Sequence, residues 1–289
     1  MNDWVFTALG TQWTITTPEP LRDKVTEAIR TELERIDVTW SRFRDDSMVA
    51  EMARRPGRYP ISAADQPLID WYRRLYEVTE GAVSPFVGQT LADAGYDAAY
   101  SLRPAATISV VPSWESVLAG HASALDVRSP VLIDVGAAGK GFAVDRVAGI
   151  VADHASEFIV DGSGDMVFSG CSDPVRVALE HPQDPTMAIG VVEMREGAIC
   201  ASASNRRAWA DWHHIVDPRS SSPTWNVLAT WVLAPTTMVA DGLATALFFT
   251  SDSVLRERLG PPTDRFGHLT VTRDGHIEQT EIPGLEAFW

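Results

Sequence analysis

The chain has 289 residues, 24 Lys plus Arg against 39 Asp plus Glu, a net charge of −15 and 45% apolar residues, which describes a folded acidic protein and excludes a disordered one. That charge argues against unguided nucleic-acid binding and against attachment to anionic membranes, so any phosphate ligand needs a local cation. Two cysteines, Cys171 and Cys200, stand in no metal-ligand spacing and read as small buried apolar residues.

The N-terminus, MNDWVFTALGTQW, has no basic start, no sustained apolar run and no small-residue cleavage site. No secretory signal is expected, and the expected location is cytoplasmic. The same segment runs on as WVFTALGTQWTITT, two short β-rich runs around Leu9-Gly10, which predicts a hairpin. Leu21, Val25, Ala28, Ile29, Leu33 and Ile36 then recur at helical spacing, predicting a helix over about 20–38. A second helix is expected from an N-cap near Ser62, burying Leu68, Trp71, Tyr72, Leu75 and Val78 and ending before Gly81.

In the middle of the chain VLID, 131–134, reads as a short buried strand, followed by a glycine cluster and a helical stripe of Phe142, Ala143, Val147, Ile150 and Val151. EFIVD, DMVFSG, PVRVALE, AIGVVEM and GAICAS then give five β candidates in close succession, so the sheet is expected to be largely antiparallel. Residues 227–249 are apolar enough to raise a membrane-spanning reading. Pro235 and Asp241 argue against it, and the run predicts a buried strand feeding a buried helix. No integral membrane segment is expected. Asp274-Gly275 between alternating runs predicts a C-terminal hairpin. No repeat or linker divides the chain, so residues 1–289 are expected to form one domain of the α+β class.

Four constellations could carry chemistry. In DVGAAGKGFAVD, 134–145, three glycines at a helix entry expose backbone N–H groups and place Lys140 at a helix start, a geometry that suits phosphate. The Walker A spacing is not met, and a plain turn with a solvated lysine is an equal alternative from this segment alone. In TTMVADGLATAL, 236–247, Asp241 and Thr245 share one face of a predicted apolar helix. A buried carboxylate needs a partner, and carboxylate plus hydroxyl suits a hard cation such as Mg²⁺, although capping of a neighbouring backbone would also serve. In WHHIVDPRSSSP, 212–223, His213 and His214 would point to opposite faces of a strand, so at most one serves a given site, and pattern does not say which. DGSGD, 161–165, reads as a glycine turn between strands.

In this order the segments resemble the ApbE family of FAD:protein FMN transferases. ALGTQW is similar to the family's MGT segment, SRFRDDSMVAEM to its S-T-Y…S-E/L helix start, and GAVSPFVGQTLADAGYD to G-x-x-D-P-T-V-G-P-L…W-G. LIDVGAAGKGFAVD resembles D-L-G-G-I-A-K-G-Y-A-V-D, HHIVDPRSSSP resembles H-I-I-D-P-R-T-G-x-P, and MVADGLATALFF resembles A-D-A-L-A-T-A-L. The resemblance implies a T-fold-related domain with a largely antiparallel sheet flanked by helices. It implies an enzyme that takes FAD and an acceptor protein, joins FMN through a phosphodiester to a Thr or Ser hydroxyl, and releases AMP. Carried over by motif, the Ala137 carbonyl with Asp241 and Thr245 would hold Mg²⁺, with Mn²⁺ a possible substitute. His214 would be the general base and His213 a bystander. Leu9, Phe43, Val83, Ser84, Asp134, Lys140, Ile215 and Ala244 fall at or beside positions that contact FAD. Leu9, Phe43 and Ser84 depart from the family's Met, Tyr and Asp, and 201–205 departs from T-S-G-D-Y. The same site would serve a metal-dependent FAD pyrophosphatase or, with catalysis lost, a flavin-binding protein.

Overall fold

Alternating side chains along the strands sort the molecule into layers. The structure, a computed structural model, describes residues 1–119 and 123–288. Its main sheet has eight strands in the order Asn2–Ala8, Thr11–Thr17, Phe158–Asp161, Met166–Ser169, Gly197–Ala203, Val227–Ala234, Gly267–Thr272 and Ile277–Gln279. Every neighbouring pair in it is antiparallel. In Gly197–Ala203, Ala198 and Cys200 join the core beneath the helices, while Ile199 points to the opposite face. Ala234 and Val232 likewise face the helices, and Trp231 and Ala229 face away. A smaller antiparallel sheet of Val175–His181, Asp184–Met194 and Leu285–Ala287 supplies Leu179, Val192 and Met194 to that second core. The class is α+β as expected, with helices on one face of the main sheet and a second sheet on the other.

The five central β candidates all form strands, and both hairpins form. Ala8 pairs with Thr11 across a two-residue turn in which Leu9 (φ 50°) and Gly10 (φ 73°) are both left-handed, the conformation that matches the twist of the flanking strands. The first helix runs Asp23–Trp40 and buries Val25, Ile29, Leu33, Ile36 and Trp40. No helix among the described residues is long and apolar enough to cross a membrane, and 227–249 divides into the strand Val227–Ala234 and the helix Thr237–Ala246.

Two expectations fail in detail. The second helix begins at Gln66, not beside Ser62, whose hydroxyl instead accepts from Asp65 N–H (3.2 Å) in a preceding turn. Residues 131–134 bury Val131 and Ile133 but join no sheet. Two of their N–H groups are taken by carbonyls of short helical segments, Val131 by Met52 (3.2 Å) in the helix Met48–Arg54 and Asp134 by Pro85 (2.7 Å) in the 3₁₀ turn Pro85–Val87, so an apolar run without a strand partner stays irregular.

Two buried helices, Gly139–Ala152 and Thr237–Ala246, pack against each other under the main sheet. Asp145 locks them together. Its Oδ1 accepts from the N–H (2.8 Å) and hydroxyl (2.7 Å) of Thr237, and its Oδ2 from Met238 N–H (2.9 Å). These bonds satisfy the first donors of the second helix. At the crossing, a Cβ on Gly141 would lie 2.3 Å from the Thr237 carbonyl oxygen and 2.8 Å from Asp241 Cβ. Gly141→Ala is therefore expected to cost about 2–3 kcal/mol by overpacking, read as a lower urea midpoint at unchanged slope; an unchanged midpoint would show that the helices can separate freely.

Candidate functional site

The helix crossing also fixes the carboxylate singled out in the sequence. Asp241 is 5% exposed, and its Oδ2 accepts from Gly141 N–H at 2.9 Å. Gly141 is the third residue of its helix, so its N–H has no partner within the helix and Asp241 takes it. The Ala137 carbonyl, just before the helix, accepts no backbone N–H among the described residues. The turn itself is held by Tyr72, whose buried hydroxyl accepts from the N–H groups of Ala137 (3.0 Å) and Ala138 (3.1 Å). Tyr72 reaches this point because Gly242 lets its helix approach: a Cβ there would lie 2.4 Å from Trp71 Nε1.

Burial and then the nearby Asp165 raise the Asp241 pKa well above the usual carboxylate range, against the opposing pull of Lys140 and the Gly141 N–H. Thr245 places its Oγ1 3.4 Å from Ser202 Oγ. No group of three or more His, Cys, Asp or Glu among the described residues is arranged to hold a metal. The oxygens of Ala137, Asp241 and Thr245 are a different kind of set, one carboxylate with two neutral oxygens, and fit a hard divalent cation that keeps waters.

Lys140, the second residue of its helix, is not simply solvated. Its Nζ lies 3.0 Å from Asp165 Oδ2 and 3.3 Å from the Ser163 carbonyl. Burial acts to lower the Lys140 pKa, but Asp165 and Asp241 outweigh it and raise it. The DGSGD segment is thus more than the turn read from its glycines, because Asp165 is 1% exposed and its buried carboxylate is paired with Lys140. Cys200 lies in the field of the same two carboxylates; burial and their charge push its thiol far up, so it stays neutral.

Asp134 is held by a different cation. Arg42 Nε donates to Asp134 Oδ2, Arg42 Nη1 donates to the Tyr96 carbonyl (2.6 Å), and Gly136 N–H donates to Asp134 Oδ1 (2.6 Å). Burial alone would raise the Asp134 pKa, but Arg42 and the Gly136 N–H hold it below the ordinary value. The guanidinium sits 4.2 Å from the Phe43 ring centroid and 4.8 Å from that of Tyr96, and Phe43 also stacks on Tyr100 at 5.2 Å.

The two histidines separate by their ring nitrogens. The strand stops at His213 and His214 sits in a bend, so they are not alternating residues of one strand. His213 is 1% exposed; its Nδ1 accepts from Ile215 N–H (3.2 Å), so its Nε2 carries the proton toward the Thr224 carbonyl (2.5 Å). Trp225 packs edge-on against its ring. His214 is half-buried, its Nδ1 is buried without a partner, and its side chain makes no hydrogen bond among the described residues. Burial first, then Arg207 and His213, push its pKa down to about 3, so the ring is neutral.

Arg207, absent from the sequence candidates, links the pieces. It is exposed and its side chain donates no hydrogen bond among the described residues. Its charge acts on His214, Asp134 and Asp241 alike. Segments around 134, 207–214 and 241 therefore share one electrostatic site, although more than a hundred residues separate the first from the last. The remaining candidates are less directly engaged. Ser84 caps a short 3₁₀ turn by accepting from Phe86 N–H (3.2 Å), and the buried Val83 donates its N–H to Thr79 Oγ1 (2.9 Å). The Ala244 carbonyl accepts from Thr230 Oγ1 (2.7 Å), and Ile215 is buried. Leu9 lines a cavity of about 270 Å³ with Phe6, Arg30, Glu34 and Asp37.

Of the residues missed in the sequence, Asp165 and Asp145 stood inside quoted motifs, but only the fold shows what each contacts. Arg42 likewise stood inside the quoted SRFRDDSMVAEM segment, while Arg207 gave no signal beyond its charge.

The sequence model of the ApbE family matches residues 9–259. The chain is 24% identical over 246 residues to a Salmonella typhimurium protein named FAD:protein FMN transferase, covering 76% of this chain and 69% of that one. Its fold is similar to that of the ApbE protein of Thermotoga maritima, with a TM-score of 0.83, 24% identity and 97% of each chain covered. It is also similar to the flavin transferase ApbE of Vibrio cholerae, with a TM-score of 0.77, 23% identity and 98% and 97% of the two chains covered.

The sign of the Asp241 shift gives a test of the site. Because the folded pKa is raised above its ordinary 3.8, the folded metal-free protein binds the proton more tightly than the unfolded chain. Stability is then lost as pH rises above that value. In chelated samples Asp241→Asn should melt above the wild type at pH 8, by about 2–4 °C per kcal/mol relieved, and match it near pH 4. Millimolar Mg²⁺ should raise only the wild-type melting point. A variant that melts below the wild type at pH 8 would contradict the electrostatic account.

Proposed function

The chain belongs to the ApbE family, and from that footing we propose that it is a Mg²⁺-dependent FAD:protein FMN transferase, which attaches FMN through a phosphodiester to a Thr or Ser hydroxyl of an acceptor protein and releases AMP. The curated relatives carry that transferase name. The observation that carries the reading is the convergence of His214, Asp134 and Asp241 within the field of Arg207. Three motifs distant in sequence supply a neutral imidazole, a buried carboxylate open to a cation, and a helix entry with its lysine.

Ala137, Asp241 and Thr245 are the residues that would hold the divalent cation. When bound, it supplies positive charge against the pyrophosphate as the leaving phosphate departs. The chain's own residues do the rest. Arg207 meets the negative charge of the dinucleotide in a protein whose net charge is −15; the N–H groups of the 136–139 turn are already bonded to Asp134, Tyr72 and the Val135 carbonyl and shape the turn instead. Phe43, stacked with Tyr100 and Arg42, offers an aromatic surface without the phenolic hydroxyl of the family pattern.

His214 takes the proton of the acceptor hydroxyl as its oxygen attacks the FMN phosphorus. The bond between that phosphorus and the bridging oxygen breaks, and AMP leaves with the bridging oxygen. A neutral ring can accept a proton, and dinucleotide charge beside Arg207 offsets the cation that depresses its pKa, making the imidazole more basic when substrate is present. His213 cannot do this, because both its nitrogens are engaged in holding the loop.

The test is incubation with FAD, Mg²⁺ and an FMN-accepting domain, followed by in-gel flavin fluorescence and AMP quantification. Covalent fluorescence with stoichiometric AMP supports transfer. Free FMN with AMP would replace it with a pyrophosphatase, and no AMP would leave flavin binding alone. His214→Ala should reduce transfer by about 10²–10⁴-fold, the usual contribution of a positioned base. His213→Ala should act mainly by lowering the melting temperature; equal losses of transfer by both at equal stability would show the base to be misassigned.

A further inference from the structure

The buried Asp241 lies near a second buried carboxylate, Asp165, whose charge disfavours its own, and one ammonium, Lys140, lies in the field of both. The ammonium is not placed midway. Its contacts are Asp165 Oδ2 at 3.0 Å and the Ser163 carbonyl at 3.3 Å, both on the 161–165 turn, and it makes no hydrogen bond to Asp241. Yet Lys140 precedes Gly141, whose N–H is bonded to Asp241. A long flexible side chain starting one residue from that bond has Asp241 within reach if nothing else holds it. Asp165, for its part, lies against the neutral Cys200 thiol, and Lys140 is the one cation paired with it among the described residues. A residue that served only the turn would not need a charge 99% buried.

We propose that Asp165 is a positioning residue that parks the Lys140 ammonium on the 161–165 turn, keeping it off Asp241 so that Asp241 stays available to the divalent cation. This rests on the metal reading above. Without Asp165, Lys140 would turn to the other buried carboxylate and compete with the cation for it, because a buried charge left without a partner is costly.

The distinctive consequence is non-additivity. A lysine acting only through space would weaken metal binding by the same factor whether or not Asp165 is present. A parked lysine weakens it little in the wild type and strongly once released. The experiment is Mn²⁺ uptake by metal-free protein, followed by loss of the free-ion electron paramagnetic resonance signal, with Mg²⁺ as competitor. It is carried out for the wild type, Lys140→Met, Asp165→Asn and the double variant, with a thermal melt of each. Lys140→Met should raise affinity no more than about threefold, Asp165→Asn should lower it about tenfold, and adding Lys140→Met to Asp165→Asn should recover that loss or exceed it.

Equal Lys140→Met factors in the two backgrounds would overturn the proposal, as would unchanged affinity in Asp165→Asn. If Asp165→Asn does not fold, Lys140→Met still decides: a rise above about tenfold would show that the lysine already occupies Asp241. Absence of Mg²⁺-displaceable Mn²⁺ uptake by the wild type, or uptake unaffected by Asp241→Asn, would instead remove the metal reading and this inference with it.

Discussion

The hydrogen bond from Gly141 N–H to the Asp241 carboxylate is the contact around which the site is built. It joins the first turn of one buried helix to the middle of another, across a gap that admits no side chain on Gly141. The donor is a helix N-terminal N–H, which carries partial positive charge and prefers an anion. One such bond does not neutralise a carboxylate removed from water, and a second carboxylate nearby makes the position worse. The fold therefore holds a negative charge that a cation would relieve. Asp145 and Tyr72 maintain this arrangement from either side, one fixing the helix that carries Asp241 and the other the turn that precedes Gly141.

To receive the polyanion proposed for it, an acidic protein must distribute its cations unevenly, and three arginine and lysine residues near the site show three solutions. Arg42 is consumed by Asp134 and sandwiched between aromatic rings, where it supports the Phe43 surface rather than offering charge outward. Lys140 is shared by two carboxylates and tied to one. Arg207 is exposed, unpaired among the described residues, and still felt by Asp134, His214 and Asp241. Only the last is free to meet an incoming phosphate without first giving up a partner.

Most of the strands and helices were legible because their burial is one-sided and therefore periodic. The apolar alternation of 158–203 and the Leu9-Gly10 and Asp274-Gly275 turns predicted antiparallel hairpins, which the structure divides between the main and the smaller sheet. The stripe from Val25 to Ile36 predicted the helix laid across it. Residues 131–134 misled because an apolar run encodes burial, not hydrogen-bond partners, and carbonyls of two short helical segments took donors a strand would use. Ser62 misled because a hydroxyl can cap a turn as well as a helix. At the site, Asp241 stood out as a charge in an apolar helix. Asp165 did not, since an aspartate after a glycine turn has the composition of any loop, and its burial follows from contacts made across the sheet.

His213 and His214 show why adjacent identical residues need a structure to separate them. The chain bends between them, and from that point the difference is one of lone pairs. In His213 the N–H of Ile215 fixes one nitrogen as acceptor, so the other must be the donor to Thr224, and the ring has no vacancy for a proton. His214 has no such assignment, and its low basicity arises from burial and from Arg207. In the proposed reaction, substrate charge beside Arg207 would offset that part of the depression, raising proton affinity with occupancy and with no movement of the ring, while the larger part, due to burial, remains.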